Sequence, residues 1–322
     1  MYDAVPSLLD RTARIAAFPD GSLDIYSEVR GADGGHLSKA AFQDRLTGVR
    51  SRAFHLDERV VEPGGQAVNA AQQAHALGDE VRLDACLDHH RLDLPFECHS
   101  HGKPSRVHIH EFTDGDLMYV SESDDVADWT AADFDTLPDA DGYFGANWAT
   151  VDGMTGVLRS LAGDLDGEAF VFDPGDVTTA DPEAVRSLVA ALGTVDDGID
   201  TSLSVNAREL AAFADALGVA AEETAVRDEA DISAVVVHEE ESARAAYEGG
   251  TAVVPNLKID HATRNTGGGD RFGAGYLHGL TVGSDVEAAL ALGNACASYY
   301  VETGETATAD ELVEFIDDWS ML

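Results

Sequence analysis

Short apolar runs alternate along this chain with longer stretches whose apolar residues recur at helical spacing. Residues 12–18, 81–86, 168–173, 202–206 and 232–238 read as strands, and 182–192 and 207–217 read as helices between them. Such alternation predicts an α/β fold with a central, mainly parallel sheet flanked by helices. Two stretches, 25–61 and 96–123, break the rhythm, being polar, hairpin-like and poor in helix signals. In the second, 106–112 alternates, Thr113-Asp114-Gly115-Asp116 supplies turn chemistry, and 117–121 continues as a strand. The pattern predicts a single α/β domain over residues 1–322 carrying a small β lid.

Composition agrees with a packed core. The 322 residues are 44% hydrophobic and 25% charged, which excludes a disordered chain, a collagen-like repeat and a small disulfide scaffold. No apolar run approaches the ~18 residues of a membrane span. The first residues lack the basic-then-apolar order of a secretory signal, and Cys86, Cys98 and Cys296 form an odd, sparse set. Both point to a reduced cytoplasm. Charge changes the picture more. Sixty acidic against twenty basic residues leave −40, and only Lys39, Lys103 and Lys258 are lysines. That field argues against nucleic-acid and anionic-membrane partners. Dispersed along a chain with a core, it reads as a halophile's surface, since strong salt cuts the Debye length to about 3 Å. An acidic partner-binding protein is the other reading; it would gather its acids in a tail, and here they are spread.

The sharpest string is Asn265-Thr266-Gly267-Gly268-Gly269-Asp270-Arg271-Phe272-Gly273-Ala274-Gly275. Three glycines allow a turn with positive φ, and a glycine turn feeding a helix start is an anion site built from backbone N–H groups. Asp270 beside it is placed to accept a proton from an attacking hydroxyl; the plainer reading makes it a cap. A Walker loop needs Gly-Lys-Ser/Thr, and a dinucleotide fingerprint needs an earlier G-x-G-x-x-G, so neither fits. The second string, Gly64-Gly65-Gln66-Ala67-Val68-Asn69-Ala70-Ala71, runs into a helix that stops near Gly78. Asn69 on its first turn either faces a ligand, where an amide suits a sugar hydroxyl, or simply opens the helix.

Together the strings resemble the two signatures of the ribokinase-like (PfkB) carbohydrate kinase family. Gly65, Asn69 and Gly78 match the first; Gly267, Gly269, Asp270, Phe272, Ala274 and Gly275 match the second, with Gly268 in place of alanine. Weaker echoes are FPDGSLDIY around Asp24, Asp173-Pro174-Gly175, the N-x-x-E of Asn206 and Glu209, and Asn294 in a C-terminal helix. The resemblance implies a ribokinase-like fold and transfer of the terminal phosphate of ATP, or of ADP, to an alcohol of a sugar, sugar phosphate or nucleoside. It implies Asp270 as general base and Gly267, Gly268 and Gly269 as anion hole. Asp24, Gly64, Gly65 and Asn69 would then hold sugar hydroxyls, Asn294 would lie on the nucleotide side, and Asn206 and Glu209 would organise Mg²⁺ through water. Lid-mediated homodimers are common among relatives, so pairing through the lid is expected too.

Some positions depart from the family. Arg264 stands where an acidic residue tied to a monovalent cation is usual, and a phosphate already on the substrate is a possible partner for it, as is ordinary ion pairing. Glu239-Glu240-Glu241 replaces a Thr/Gly-rich phosphate turn, which motivates a catalytically silent sugar- or nucleotide-binding homologue as the alternative. Asp88 replaces a glycine. Six of the twelve histidines lie between His89 and His110, at spacings that match no standard zinc pattern. Trp129, Trp148 and Trp319 read as packing residues, and Asn147-Trp148 is left open as a pocket neighbour.

Overall fold

The protein was analysed as a computed structural model that describes residues 1–48, 53–134, 136–264 and 266–320. Helix α1 (Val5–Leu9) precedes β1 (Arg14–Phe18), followed by β2 (Ser22–Arg30), α2 (Lys39–Thr47), β3 (His55–Gly64), α3 (Gln66–Ala76) and β4 (Glu80–Ala85). Next come β5 (Glu97–Ser100), β6 (Ser105–Phe112), β7 (Gly115–Ser121), α4 (Asp124–Ala127), β8 (Gly142–Ala146), α5 (Met154–Leu161) and β9 (Ala169–Asp173). The chain continues through α6 (Pro182–Asp196), β10 (Thr201–Val205), α7 (Ala207–Leu217), α8 (Glu223–Ala230) and β11 (Ala234–His238). A hairpin of β12 (Ser242–Tyr247) and β13 (Gly250–Pro255) leads to α9 (Gly268–Thr281), α10 (Val286–Thr303) and α11 (Ala309–Ser320).

The described strands form a nine-stranded sheet, in the order β13-β12-β11-β10-β9-β8-β1-β4-β5. From β5 to β11 every pair is parallel; β12 and β13 add an antiparallel edge. Strands β8, β9 and β10 are buried at every position, which is why their sequences are apolar runs without alternation. One face packs Val68, Leu83, Phe144 and Leu277 under α3, α9 and α10. The other packs Phe18, Phe170, Leu188 and Phe213 under α5, α6 and α7. Trp129 is buried against Phe18, and Trp319 packs on Tyr2. Trp148 is half-buried and donates from its indole to Thr155 Oγ1 at 2.8 Å.

The lid is a separate four-stranded sheet, β3-β2-β6-β7. Its outer pairs are antiparallel, but β2 and β6 run parallel, so the hairpin-like reading holds only for β2–β3 and β6–β7. One feature inside the lid and one of its boundaries differ from the sequence pattern. The stretch 25–61 contains helix α2, capped by Ser38 Oγ accepting from the Ala41 amide; none of its residues is buried, so no apolar stripe announced it. Within 96–123, β5 pairs with β4 and belongs to the main sheet, so the lid resumes only at Ser105. Residues 49–52, inside the first stretch, lie outside the described residues.

Helix α9 crosses α10 at small residues. A Cβ on Gly275 would come within 2.8 Å of Cys296 Sγ and 3.1 Å of Gly293 Cα. This close approach holds the mouth of α9 over the sheet. Gly275→Val should therefore destabilise the fold by about 2–3 kcal/mol. Thermal unfolding in molar KCl checks it, and an unchanged Tm would remove the close approach as a constraint.

Candidate active site

Strand order reverses between β1 and β8: the chain builds outward to β4 and β5, then returns and builds the other way. In open α/β sheets the crevice at such a switch point, above the carboxyl ends of the strands, is the place for a ligand. Asp20 just after β1, Asn147 just after β8, Asp173 at the end of β9 and Asn206 just after β10 all stand there.

Asp20 ties the crevice together. Its Oδ1 accepts from the Ala67 amide at 2.8 Å, and its Oδ2 from the Gln66 amide at 2.9 Å and Asn147 Nδ2 at 3.0 Å. It thus caps α3, where a carboxylate complements the helix dipole, and holds Asn147 at φ 57. Burial still pushes its carboxyl up to about 6, with Asp270 adding repulsion. Asp24, at the root of β2, is also raised to about 6, first by burial and then by Glu62, Asp20 and Asp270, against the Ser22 hydroxyl bond. The paired glycines make room for both carboxylates. A Cβ on Gly64 would sit 2.2 Å from Asp24 Oδ2, and one on Gly65, at φ 106, would sit 2.8 Å from Asp20 Oδ2.

From the far side comes α9. Gly267 caps it in the left-handed region (φ 91, ψ 0) with no capping side chain, so its first amides, from Gly268 and Gly269 onward, have no local acceptor. Asp270 on this first turn is 7% exposed, and Asn69 Nδ2 donates to its Oδ2 at 2.7 Å. The two sequence strings, 201 residues apart, meet through that bond. Burial raises the Asp270 carboxyl, while the Asn69 amide, the Arg271 charge and the Gln66 amide pull it down. Asp173 is raised to about 8 through burial, then the Asp270 charge; Glu209 adds to it, and the Gly175 amide at 3.0 Å opposes. Buried carboxylates this close hold protons instead of all ionising.

Asn206 and Glu209 form a capping box on α7: Asn206 Oδ1 accepts from the Arg208 and Glu209 amides, and Glu209 Oε2 accepts from the Asn206 amide. The charge of Glu209 adds to the upward push on Asp173. Asn294 is 2% exposed and donates to the Val254 carbonyl at 3.0 Å, so it tethers α10 to β13. Arg264 bonds Glu62 at 3.0 Å and stacks over the Tyr26 ring at 4.3 Å. It lines a cavity of about 360 Å³ with Arg271, Tyr300 and Thr306. In the acidic turn, Glu239 pairs with Arg244, and Asn256 Nδ2 donates to the Glu239 carbonyl at 2.7 Å. The histidine cluster is split between two sheets. His99 and His101 lie at β5, paired with Glu97 and Asp84, whereas His108 and His110 lie on β6. Among the described residues no group of three or more His, Cys, Asp or Glu is arranged to hold a metal ion. Asn265 lies outside the described residues.

Sequence reasoning passed over four residues. Gln66, at the start of α3, pulls down both the Asp173 and Asp270 carboxyls, and its place directly after Gly65 was the available signal. Asp20 follows Pro19 at the strand end, four positions before the aspartate that the motif singled out. His238 is neutral, its value pushed down to about 4 by burial, and its Nε2 has no partner beside Gly269. Arg271 backs the glycine turn.

Comparison with known proteins bears on the affiliation of the chain. The model of the prokaryotic ketohexokinase family matches residues 58–319. A ketohexokinase of Haloferax volcanii is 28% identical over 301 residues, covering 84% of this chain and 80% of that protein. The fructokinase of Xylella fastidiosa with bound ATP superposes with a TM-score of 0.70 at 14% identity, over 95% of this chain and 99% of that one. The nucleoside kinase of Burkholderia thailandensis in complex with ADP-inosine gives 0.67 at 18% identity, over 97% of each chain. With the ribokinase-like sheet, lid and paired glycine signatures already in place, the match over 58–319 settles the affiliation: the chain belongs to the prokaryotic ketohexokinase family of sugar kinases.

Proposed function

We propose that this enzyme transfers the terminal phosphate of ATP to a hydroxyl of a ketohexose, with Asp270 as the general base. One observation carries the reading: Asp270, buried at the uncapped mouth of α9, is bonded by Asn69 from the other glycine string. An acceptor hydroxyl held in the crevice by Asp24, Asn69 and the Gly64–Gly65 turn would give its proton to Asp270 as its oxygen attacks phosphorus, and ADP would leave. Amides of the Gly267–Gly269 turn face the charge that builds on the transferring group, and fixed dipoles need no reorganisation at that moment. Positioning supplies much of the remaining gain, and a lid closing over the sugar would exclude water as a competing acceptor.

The donor set fits Mg²⁺ through water better than by direct ligation. Asn206 Oδ1 and Glu209 Oε2 are already engaged in the α7 cap, and no described metal cluster stands beside them. Mg²⁺ arriving with the nucleotide would neutralise phosphate charge. The motive for the silent-homologue alternative is weakened at one of its three carboxylates, Glu239, which is paired with Arg244, while Glu240 and Glu241 are exposed. No helix among the described residues is long and apolar enough to cross a membrane. A homodimer through the lid remains our expectation, supported by the exposed Leu117, Met118, Tyr119 and Val120 on edge strand β7.

Asp270→Asn should bind sugar with near-wild-type affinity while kcat falls about 10³-fold. Calorimetry and coupled ADP release in molar KCl measure the two, and turnover close to wild type would remove Asp270 as the base. In a screen of ketohexoses, aldohexoses, nucleosides and sugar phosphates, kcat/KM should peak with a ketohexose. A peak at a nucleoside would overturn the acceptor while leaving the base in place.

A further inference from the structure

Arg271 has a position that stability alone does not explain. It stands in the first turn of α9, where a cation opposes the helix dipole. Only 5% exposed, it has neutral hydrogen-bond partners: Nη1 donates to the Gly267 carbonyl at 3.2 Å and Nη2 to Thr306 Oγ1 at 3.3 Å. Its Nε is buried with no partner at all. Among the described residues no carboxylate is in ion-pair range; the stacked Tyr300 ring, 3.9 Å from Cζ, is the main compensation. Burying a charge on such terms is costly, and an apolar side chain there would avoid the cost.

What the guanidinium touches suggests its use. Gly267 is the left-handed residue that aims the first amides of α9, and a Cβ on it would come within 2.7 Å of Arg271 Nη1. The cation is therefore pressed against the back of the phosphate turn and grips the carbonyl that sets its peptide planes. We propose that Arg271 is a positioning residue of the kinase: a built-in cation that fixes the glycine turn and supplies a permanent positive charge where the transferring phosphoryl group and the Asp270 carboxylate both need one. The inference rests on Asp270 being the base.

The charges facing Asp270 show why one is needed. The ionised Asp270 pushes up the carboxyls of Asp20 from the end of β1, Asp24 from β2 and Asp173 from β9, with Glu209 adding to Asp173, so this is a crevice in which a further negative charge is disfavoured. From α3 come only the neutral amides of Asn69 and Gln66, and His238 from β11 is uncharged. Arg271 is the cation that favours ionisation of Asp270.

The test compares wild type, Arg271→Met, Arg271→Lys and Asp270→Asn by kcat–pH profile in molar KCl, with Tm as the check on folding. Removing the cation raises the Asp270 value, so the acid limb of kcat in Arg271→Met should move to higher pH by about one unit, with kcat at pH 7 at least about tenfold down. In Arg271→Lys the limb should stay near its wild-type position while kcat still falls, since an ammonium keeps the charge but cannot bridge Gly267 and Thr306. A folded Arg271→Met with an unmoved limb would mean a purely structural arginine and overturns the proposal. If Arg271→Met does not fold, Arg271→Lys decides: a kept limb with lowered kcat supports the proposal, and a shifted limb or unchanged kcat overturns it. Active Asp270→Asn would sink the base assignment itself, a result distinct from either arginine outcome.

Discussion

The amide of Asn69 on the carboxylate of Asp270 is the contact on which the site depends. It joins two helices that enter the crevice from different directions: α3, opened by the paired glycines and capped by Asp20, and α9, opened by the glycine run. Each helix mouth brings a separate chemistry. The first has its amides taken by a carboxylate and so stays closed to anions, leaving its glycines to admit the two aspartates that face the substrate side. The second has amides with no side-chain cap, which is the condition for receiving a phosphoryl group. One bond keeps the base at the border between them.

This arrangement is held at an electrostatic cost. Asp20, Asp24, Asp173 and Asp270 are all pushed upward mainly by burial, and they push one another. A set of like charges in a dry crevice destabilises the empty fold, as catalytic pre-organisation often does. The rest of the molecule is suited to tolerate it. Its sheet is covered on both faces, and α9 is locked to α10 through Gly275 and Gly293. On the surface the acidic excess is a different matter: those carboxylates are exposed and screened by salt, whereas the crevice carboxylates are out of salt's reach.

Much of this was legible before any coordinates. Alternating runs gave the parallel sheet because fully buried strands must be apolar throughout, and Ala207–Leu217 is a helix with the expected ends because Asn206 and Gly218 punctuate it. The glycine strings were legible because positive φ and close backbone approach admit little else. Helix α2 was not, since it buries none of its residues and so lacks an apolar stripe. Nor was β5, whose four polar-looking residues lie at a sheet edge. The tie from Asn294 to the Val254 carbonyl was not legible either, because a polar residue on a helix reads the same whether or not it holds down a strand. Gln66, Asp20 and Arg271 owe their roles to neighbours distant in the chain, which spacing cannot reveal.

Arg264 and Arg271 show how far local chemistry can depart while the architecture stays. Both side chains line the cavity behind the glycine turn, stacked on Tyr26 and Tyr300 respectively. They differ in what balances them. Arg264 has Glu62 across the lid boundary, so its charge is largely spoken for and its effect is to join the lid strand to the loop before α9. Arg271 meets only a carbonyl, a hydroxyl and a ring, none of which cancels its charge. In a chain carrying −40 overall, the field of an unneutralised buried cation is felt by buried carboxylates around it, and Asp270 is one whose ionisation it favours.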